Sequence, residues 1–177
     1  MIRTAAYFVA AGVLLAVNAA QAHEQADQLV KAFLGSCVDV LPRVDKIEAM
    51  ANSMKWKALA GDDLKAMEPQ KKGGVTKAWL ADISGTPPFF LGTSVTPDGA
   101  LTVSACSVVN PEAPSNEVLD ALKRFISLRE PQVSTAEGGM RIRVWITDIS
   151  GVHLWISLSD SSPTNEPGVT LAAMTRQ

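Results

Sequence analysis

The sequence predicts an α+β fold in which helices cover one face of an antiparallel sheet. In the first part of the chain, apolar residues recur at spacings of three and four, which is typical of amphipathic helices. From Val75 onward the period changes to two in six separate runs, which is typical of strands. We therefore expect an N-terminal helical hairpin, an antiparallel sheet of five or six strands and one further packed helix, stapled by one disulfide.

Two apolar stripes predict the helical hairpin. The first runs from Ala26 to Cys37, and the second runs from Val44 to Met54 with Pro42 in its first turn. The further helix begins at Ser115, which we expect to be its cap, and its apolar side continues to Leu128.

Apolar and β-branched runs predict the strands. The expected strands are Val75–Ile83, Phe89–Thr96, Leu101–Val109, Met140–Ile149, Val152–Leu158 and Val169–Met174. Thr96-Pro97-Asp98-Gly99 is a strong hairpin turn signal. Pro131–Gly139 and Ser159–Gly168 are predicted to be polar loops. Polar residues at alternate positions of several strands indicate that one sheet face is at least partly wet.

A seven-residue segment occurs twice in similar form. Trp79–Gly85 (WLADISG) and Trp145–Gly151 (WITDISG) lie 66 residues apart, and each follows a helical segment. The shared D-I-S-G is typical of a chain reversal between antiparallel strands. The two segments are the trace of an internal duplication or two turns that arose independently, and the sequence leaves both open.

The N-terminal 22 residues have the features of a secretory signal peptide. Arg3 supplies a positive charge, Ala5–Val17 is apolar, and Ala20-Gln21-Ala22 is a cleavage pattern of small residues. The apolar run is shorter than the roughly 20 residues that span a bilayer, although an uncleaved anchor is the alternative. We expect a signal peptide over residues 1–22 and a single domain over 23–177. We expect a bacterial envelope protein in the periplasm, with secretion as the alternative.

Two cysteines, Cys37 and Cys106, are present in the chain. In an exported protein an even pair of this kind predicts one structural disulfide. The pair is not a C-x-x-C, and both residues lie in apolar segments. A redox pair, metal thiolates and two free thiols are the alternatives.

Charge restricts the class of partner. The chain has 16 Lys and Arg against 18 Asp and Glu, and removal of residues 1–22 would take away Arg3 and leave a formal charge of −3. Nucleic acid is therefore not expected as a partner, since phosphate binding needs a basic field. We also expect no stable membrane anchor after signal cleavage.

Catalytic motifs for nucleophilic serine, catalytic zinc or nucleotide phosphate do not occur in the sequence. A Ser-His-Asp site would have to use His153, because the other histidine, His23, lies at the predicted new N-terminus. His153 lies in a predicted strand on the same face as Trp155. Such a histidine is more often structural or exposed than catalytic.

Cleavage after Ala22 would give His23 a free α-amine, which together with its imidazole could chelate copper. His153 could supply a third nitrogen. This nitrogen set resembles the histidine brace of copper-dependent polysaccharide monooxygenases and of some periplasmic copper carriers. The resemblance covers two residues and implies a copper site at His23 and His153. We otherwise expect neither metal nor cofactor.

Together these observations favour an exported, soluble, non-enzymatic protein that binds a protein partner or a small ligand. A periplasmic enzyme built on His153, or a copper-binding protein built on His23, is the alternative. The expected recognition surface is a sheet face around Trp145 and Trp155 together with Asp160 and Asn165 in the predicted loop, although both tryptophans are also candidates for the core.

Overall fold

The computed structural model of the chain describes residues 21–67, 75–161 and 166–177. The predicted signal peptide lies outside these residues, apart from Gln21 and Ala22, which are helical. The described chain is α+β, as predicted, with four helices beside an eight-stranded antiparallel sheet. Within the described ranges, no helix has the length and apolar character needed to cross a membrane.

Every strand of the described chain belongs to one sheet, in the order β1-β2-β3-β4-β8-β7-β6-β5. The strands are β1 Lys57–Ala58, β2 Val75–Ala81, β3 Phe89–Asp98, β4 Leu101–Asn110, β5 Val133–Glu137, β6 Met140–Ile149, β7 Val152–Ser161 and β8 Val169–Arg176. The expected count of five or six is wrong, because β1 and β5 were not predicted. Both are sheet edges, so their side chains are largely exposed and lack an apolar period.

Four helical segments accompany the sheet. They are α1, which covers residues 21–33 and continues as a π turn over Leu34–Val38, α2 Val44–Ser53, α3 Gly61–Ala66 and α4 Ser115–Phe125. The π turn contacts β4 and β8, whereas α2 contacts β3 and β4. The two N-terminal helices thus both lie on the sheet.

The core lies between one face of the sheet, called here the inner face, and helices α1, α2 and α4. Alternate residues of the six central strands, β2 to β4 and β6 to β8, point into it, so that Leu91, Ile156 and Ala173 are buried, as is Leu122 of α4. The opposite face is called the outer face. Burial of one apolar set per strand fixes the pairing register, since a one-residue slip would turn that set outward.

Several boundaries differ from the predicted ones. The β3–β4 hairpin turns at Gly99 and Ala100, two residues later than expected, and Pro97 is within β3. Among the described residues, the β2–β3 ladder begins with the pair Val75 and Val95, so Pro97 lies beyond the described part of that ladder. Ser115 is the first residue of α4 and not its cap, because its hydroxyl contacts Asp160 instead.

The sheet consists of two similar halves. Trp79 of β2 pairs with Leu91 of β3, and Trp145 of β6 pairs with Ile156 of β7 in the corresponding way. The halves meet where β4 pairs with β8, so an approximate twofold axis passes between these two strands. The repeated segment therefore occupies matched positions, although Ser150-Gly151 forms a two-residue turn in one half and a longer connection follows β2 in the other.

The predicted disulfide is present. Cys37 of the π turn is bonded to Cys106 of β4, and both residues are buried. The bond joins the N-terminal helix to the centre of the sheet across 69 positions of sequence.

Candidate functional site

The outer face of β5, β6 and β7 carries a group of apolar side chains, which we call the apolar face. Its members are Val133, Met140, Ile142, Val144, Ile146 and Trp155. Val133 and Met140 are 46% and 48% exposed, and Ile142 and Ile146 are each 39% exposed. These four leave roughly 300 Å² open to solvent, which is the size of a patch that is often functional on a monomer.

Strand register explains why these side chains are neighbours. Ile146 pairs with Trp155, which in turn pairs with Met174 of β8, so one apolar row crosses three strands. Val133 and Val144 form a second pair, between β5 and β6. Cross-strand partners on one face have Cβ atoms about 5 Å apart, so the apolar face is continuous.

Charge is absent from the middle of the apolar face. Between the ends of the described strands β5 to β8, the remaining outward positions hold Met174 and Ser, Thr and Ala residues, as at Ser157, Thr170 and Ala172. Charged residues occur at strand ends, where Asp148 and His153 pair with each other, and at Arg176. Depletion of charge in the centre of a patch is typical of protein interfaces.

The other half of the outer face is covered from within the chain. Met67, which follows α3, packs closely on Gly92 of β3. A Cβ atom added at Gly92 would lie 2.9 Å from the Cε atom of Met67. Ser107 of β4 lines the same contact. In the described chain, Met67 thus covers part of β3 and β4 and α3 contacts β2, while the apolar face has no helix over it.

Two residues expected at the recognition surface are buried, which corrects that prediction. Trp145 is 2% exposed and its Nε1 donates a hydrogen bond to the carbonyl oxygen of Arg129 at 2.9 Å. Asp160 is 2% exposed and belongs to β7, not to a loop. Trp155 is half-buried on the outer face beside His153, as the sequence predicted. Asn165 lies outside the described residues.

Asp160 is the centre of a buried ionic cluster at the start of α4. Arg141 donates from Nε to Oδ1 and from Nη2 to Oδ2, both at 3.0 Å. Arg143 and the hydroxyl of Ser115 both donate to Oδ2. The side chain of Asp160 is fully buried and that of Arg143 is 10% exposed. The cluster joins β6, β7 and α4 and leaves Asp160 no surface with which to recognise a partner.

Opposing effects act on the pKa values in this cluster. Burial disfavours the carboxylate of Asp160 and raises its pKa, but the hydrogen bonds from Arg141 and Ser115 and the charges of both arginines outweigh burial. The pKa of Asp160 therefore lies below its ordinary value. Burial lowers the pKa of Arg143, and the charge of Asp160 acts in the opposite direction. Both groups are ionised at neutral pH.

His153 is in an exposed pair and not in a catalytic pocket. Its Nδ1 lies 2.9 Å from Oδ1 of Asp148, and the two side chains are 55% and 74% exposed. Its ring also meets Trp155 edge-on, with the centroids 5.0 Å apart. Solvent surrounds this pair on the flat outer face, so the geometry gives no enclosure for a hydrolytic reaction.

The structure places His23 and His153 on different sides of the sheet. The Nδ1 atom of His23 lies 2.7 Å from Oε2 of Glu117 on α4, which packs on the inner face, whereas His153 points outward. The described residues contain no group of three or more His, Cys, Asp or Glu side chains that could hold a metal ion. The two histidines proposed for copper are therefore not brought together.

Four clefts among the described residues are smaller than ordinary ligand sites. Each has a volume of 180–200 Å³, whereas small-molecule sites usually enclose about 300–1,000 Å³. One lies at the start of α4, where Arg141 faces Glu117 and Glu166. None of the four is lined by His153. Each of these four clefts is thus smaller than an ordinary small-molecule site.

No protein-family model matches the chain, and no curated protein or solved structure matches it either.

Proposed function

We propose that this chain is an exported, non-enzymatic protein that acts by binding protein through the apolar face. The observation that carries the proposal is the continuous row of exposed apolar side chains on β6, at Met140, Ile142 and Ile146, with no helix of the described chain above them. Water contact with so much apolar surface is unfavourable by about 25 cal/mol per Å², which a partner's surface would relieve.

Two further observations support a protein partner over a small ligand. The clefts of the described chain are small. The apolar face is an open surface of side chains on β5, β6 and β7, and an open surface of this kind is suited to other proteins. Mild net charge removes electrostatic attraction to nucleic acid. Export is supported by the signal-like N-terminal segment and is compatible with the buried Cys37–Cys106 bond.

Site-specific photo-cross-linking tests the proposal. A photoreactive phenylalanine analogue is placed at Ile146 or, as the matched control, at Met54, which is also exposed and apolar but lies at the end of α2. Illumination of intact cells should yield a discrete protein adduct from position 146 and none from position 54. Equal background from both positions would reject the apolar face as a binding surface.

A further inference from the structure

We propose that the protein covering the apolar face is a second copy of this chain, so that two sheets pack face to face about a twofold axis. This inference rests on the proposed function and names the partner for the same surface. A twofold contact places one patch against itself, so the patch must be self-complementary in shape and charge.

The composition of the apolar face favours a second copy over a transient partner. Interfaces between proteins that also exist apart are about as apolar as ordinary surface, whereas homodimer interfaces are more apolar. Here six neighbouring side chains are Val, Met, Ile, Val, Ile and Trp, and half-buried Met174 extends the row onto β8. Such a surface is typical of one that stays covered.

The charge distribution of the apolar face permits contact with the same face of a second copy. A charged patch placed on its own copy would bring like charges together, at a cost in free energy. The outward residues of β6 from Met140 to Ile146 are uncharged, and Asp148 at the strand end is already paired with His153. No like charges would therefore be forced together in the centre of the contact.

The available area is sufficient. Strands lie about 4.8 Å apart and rise about 3.4 Å per residue, so the outer face of β5 to β8 measures roughly 500–600 Å². A specific interface buries at least about 1,000 Å² in total, or roughly 500 Å² from each partner. Sheets that pack face to face lie about 10 Å apart, a distance that side chains of the size of Ile142 and Trp155 fill. Met67 and α3 lie over the other half of the sheet and leave this half accessible.

Measurement of mass in solution tests the inference. The full chain is expressed so that any processing occurs, purified with its disulfide intact, and examined by sedimentation equilibrium from about 1 to about 100 µM. We expect twice the mass of one chain. Ile142→Lys should weaken association at least about tenfold, because each dimer would bury two lysines in an apolar contact. Ile146→Lys should do the same, whereas Met54→Lys, at an equally exposed apolar site, should leave the dimer unchanged.

Circular dichroism confirms that each variant is folded before its mass is interpreted. A single-chain mass for the unmodified protein at the highest concentration would overturn the inference, as would a dimer that survives both lysine substitutions. Neither of these two results tests whether the apolar face binds another protein. An adduct from position 146 with a different protein would uphold that function without self-association, whereas no adduct at all would reject both.

Discussion

Arg141 on β6 holds Asp160 on β7 in a two-pronged ion pair, with both nitrogen–oxygen distances at 3.0 Å. The pair faces the inside of the protein, together with buried Arg143. Because Arg141 and Arg143 of β6 point inward and share the carboxylate of Asp160, the alternate residues Met140, Ile142 and Val144 point outward. The ionic cluster and the apolar face are thus two sides of one strand.

Loss of the Asp160 charge should destabilise the fold strongly. Asp160→Asn would leave the guanidinium of Arg143 buried without its carboxylate, and breaking a buried ion pair in this way costs about 3–5 kcal/mol. Asp148→Asn removes an exposed carboxylate and should cost no more than about 1 kcal/mol. Urea denaturation of the two variants measures both free energies of unfolding. Equal, small losses would show that the cluster does not hold the fold together.

Stability should also depend on pH through Asp160. Its pKa in the folded protein is below its ordinary value, so its ionisation contributes stability that is fully present above the unfolded pKa of about 3.9. That contribution is lost as the pH falls through the lower, folded pKa. The free energy of unfolding of the unmodified chain relative to Asp160→Asn should therefore shrink below about pH 4. A difference that stays constant as the solution is made more acidic would contradict this assignment.

The disulfide should contribute about 4 kcal/mol, because it closes a long loop in the unfolded chain. Thermal unfolding with and without a reductant measures this contribution. The Cys37→Ala, Cys106→Ala double variant serves as the control, since its melting temperature should be low and insensitive to the reductant. A chain that melts at the same temperature in both conditions would show that the bond is energetically unimportant.

Truncation of Trp145 on β6 and of Trp155 on β7 should lower the free energy of unfolding by different amounts. Trp145→Ala removes a buried ring and its hydrogen bond to Arg129, and should cost about 3–5 kcal/mol. Trp155→Ala removes a half-buried ring on the outer face and should cost less than about 2 kcal/mol. Chemical denaturation distinguishes them. A larger loss at Trp155 than at Trp145 would mean that the outer face is part of the core.

Much of the fold follows from local sequence pattern. The period of two in the central strands predicted their positions, because each buries one set of residues against the helices. The edge strands β1 and β5 were missed for the same reason, since an edge with mostly exposed side chains has no such period. The β3–β4 hairpin was misplaced because turn propensity is local, whereas the pairing of β3 with β4 continues through Pro97 to Asp98.

The candidate surface was only partly predictable. Trp155 was expected on the outer face, and its neighbour Ile146 was not. In the run Met140–Ile149, hydropathy alone would place Ile142, Val144 and Ile146 in the core and the two arginines in water. The structure reverses this arrangement, because Trp145 shares a face with both arginines and Asp160 forms an ion pair with each of them. Asp160 is two residues beyond the predicted end of its strand, and a long-range ion pair leaves no local signal.

The central claim is that protein covers the apolar face, and two methionines of similar exposure test it most directly. Met140 lies on the face and is 48% exposed, whereas Met54 lies at the end of α2 and is 51% exposed. Brief oxidation of intact cells with peroxide, followed by mass spectrometry, measures sulfoxide at each residue. The account predicts that Met140 is oxidised several-fold more slowly than Met54 in cells, and that the two rates become similar in unfolded protein. Equal rates at both methionines in intact cells would contradict it.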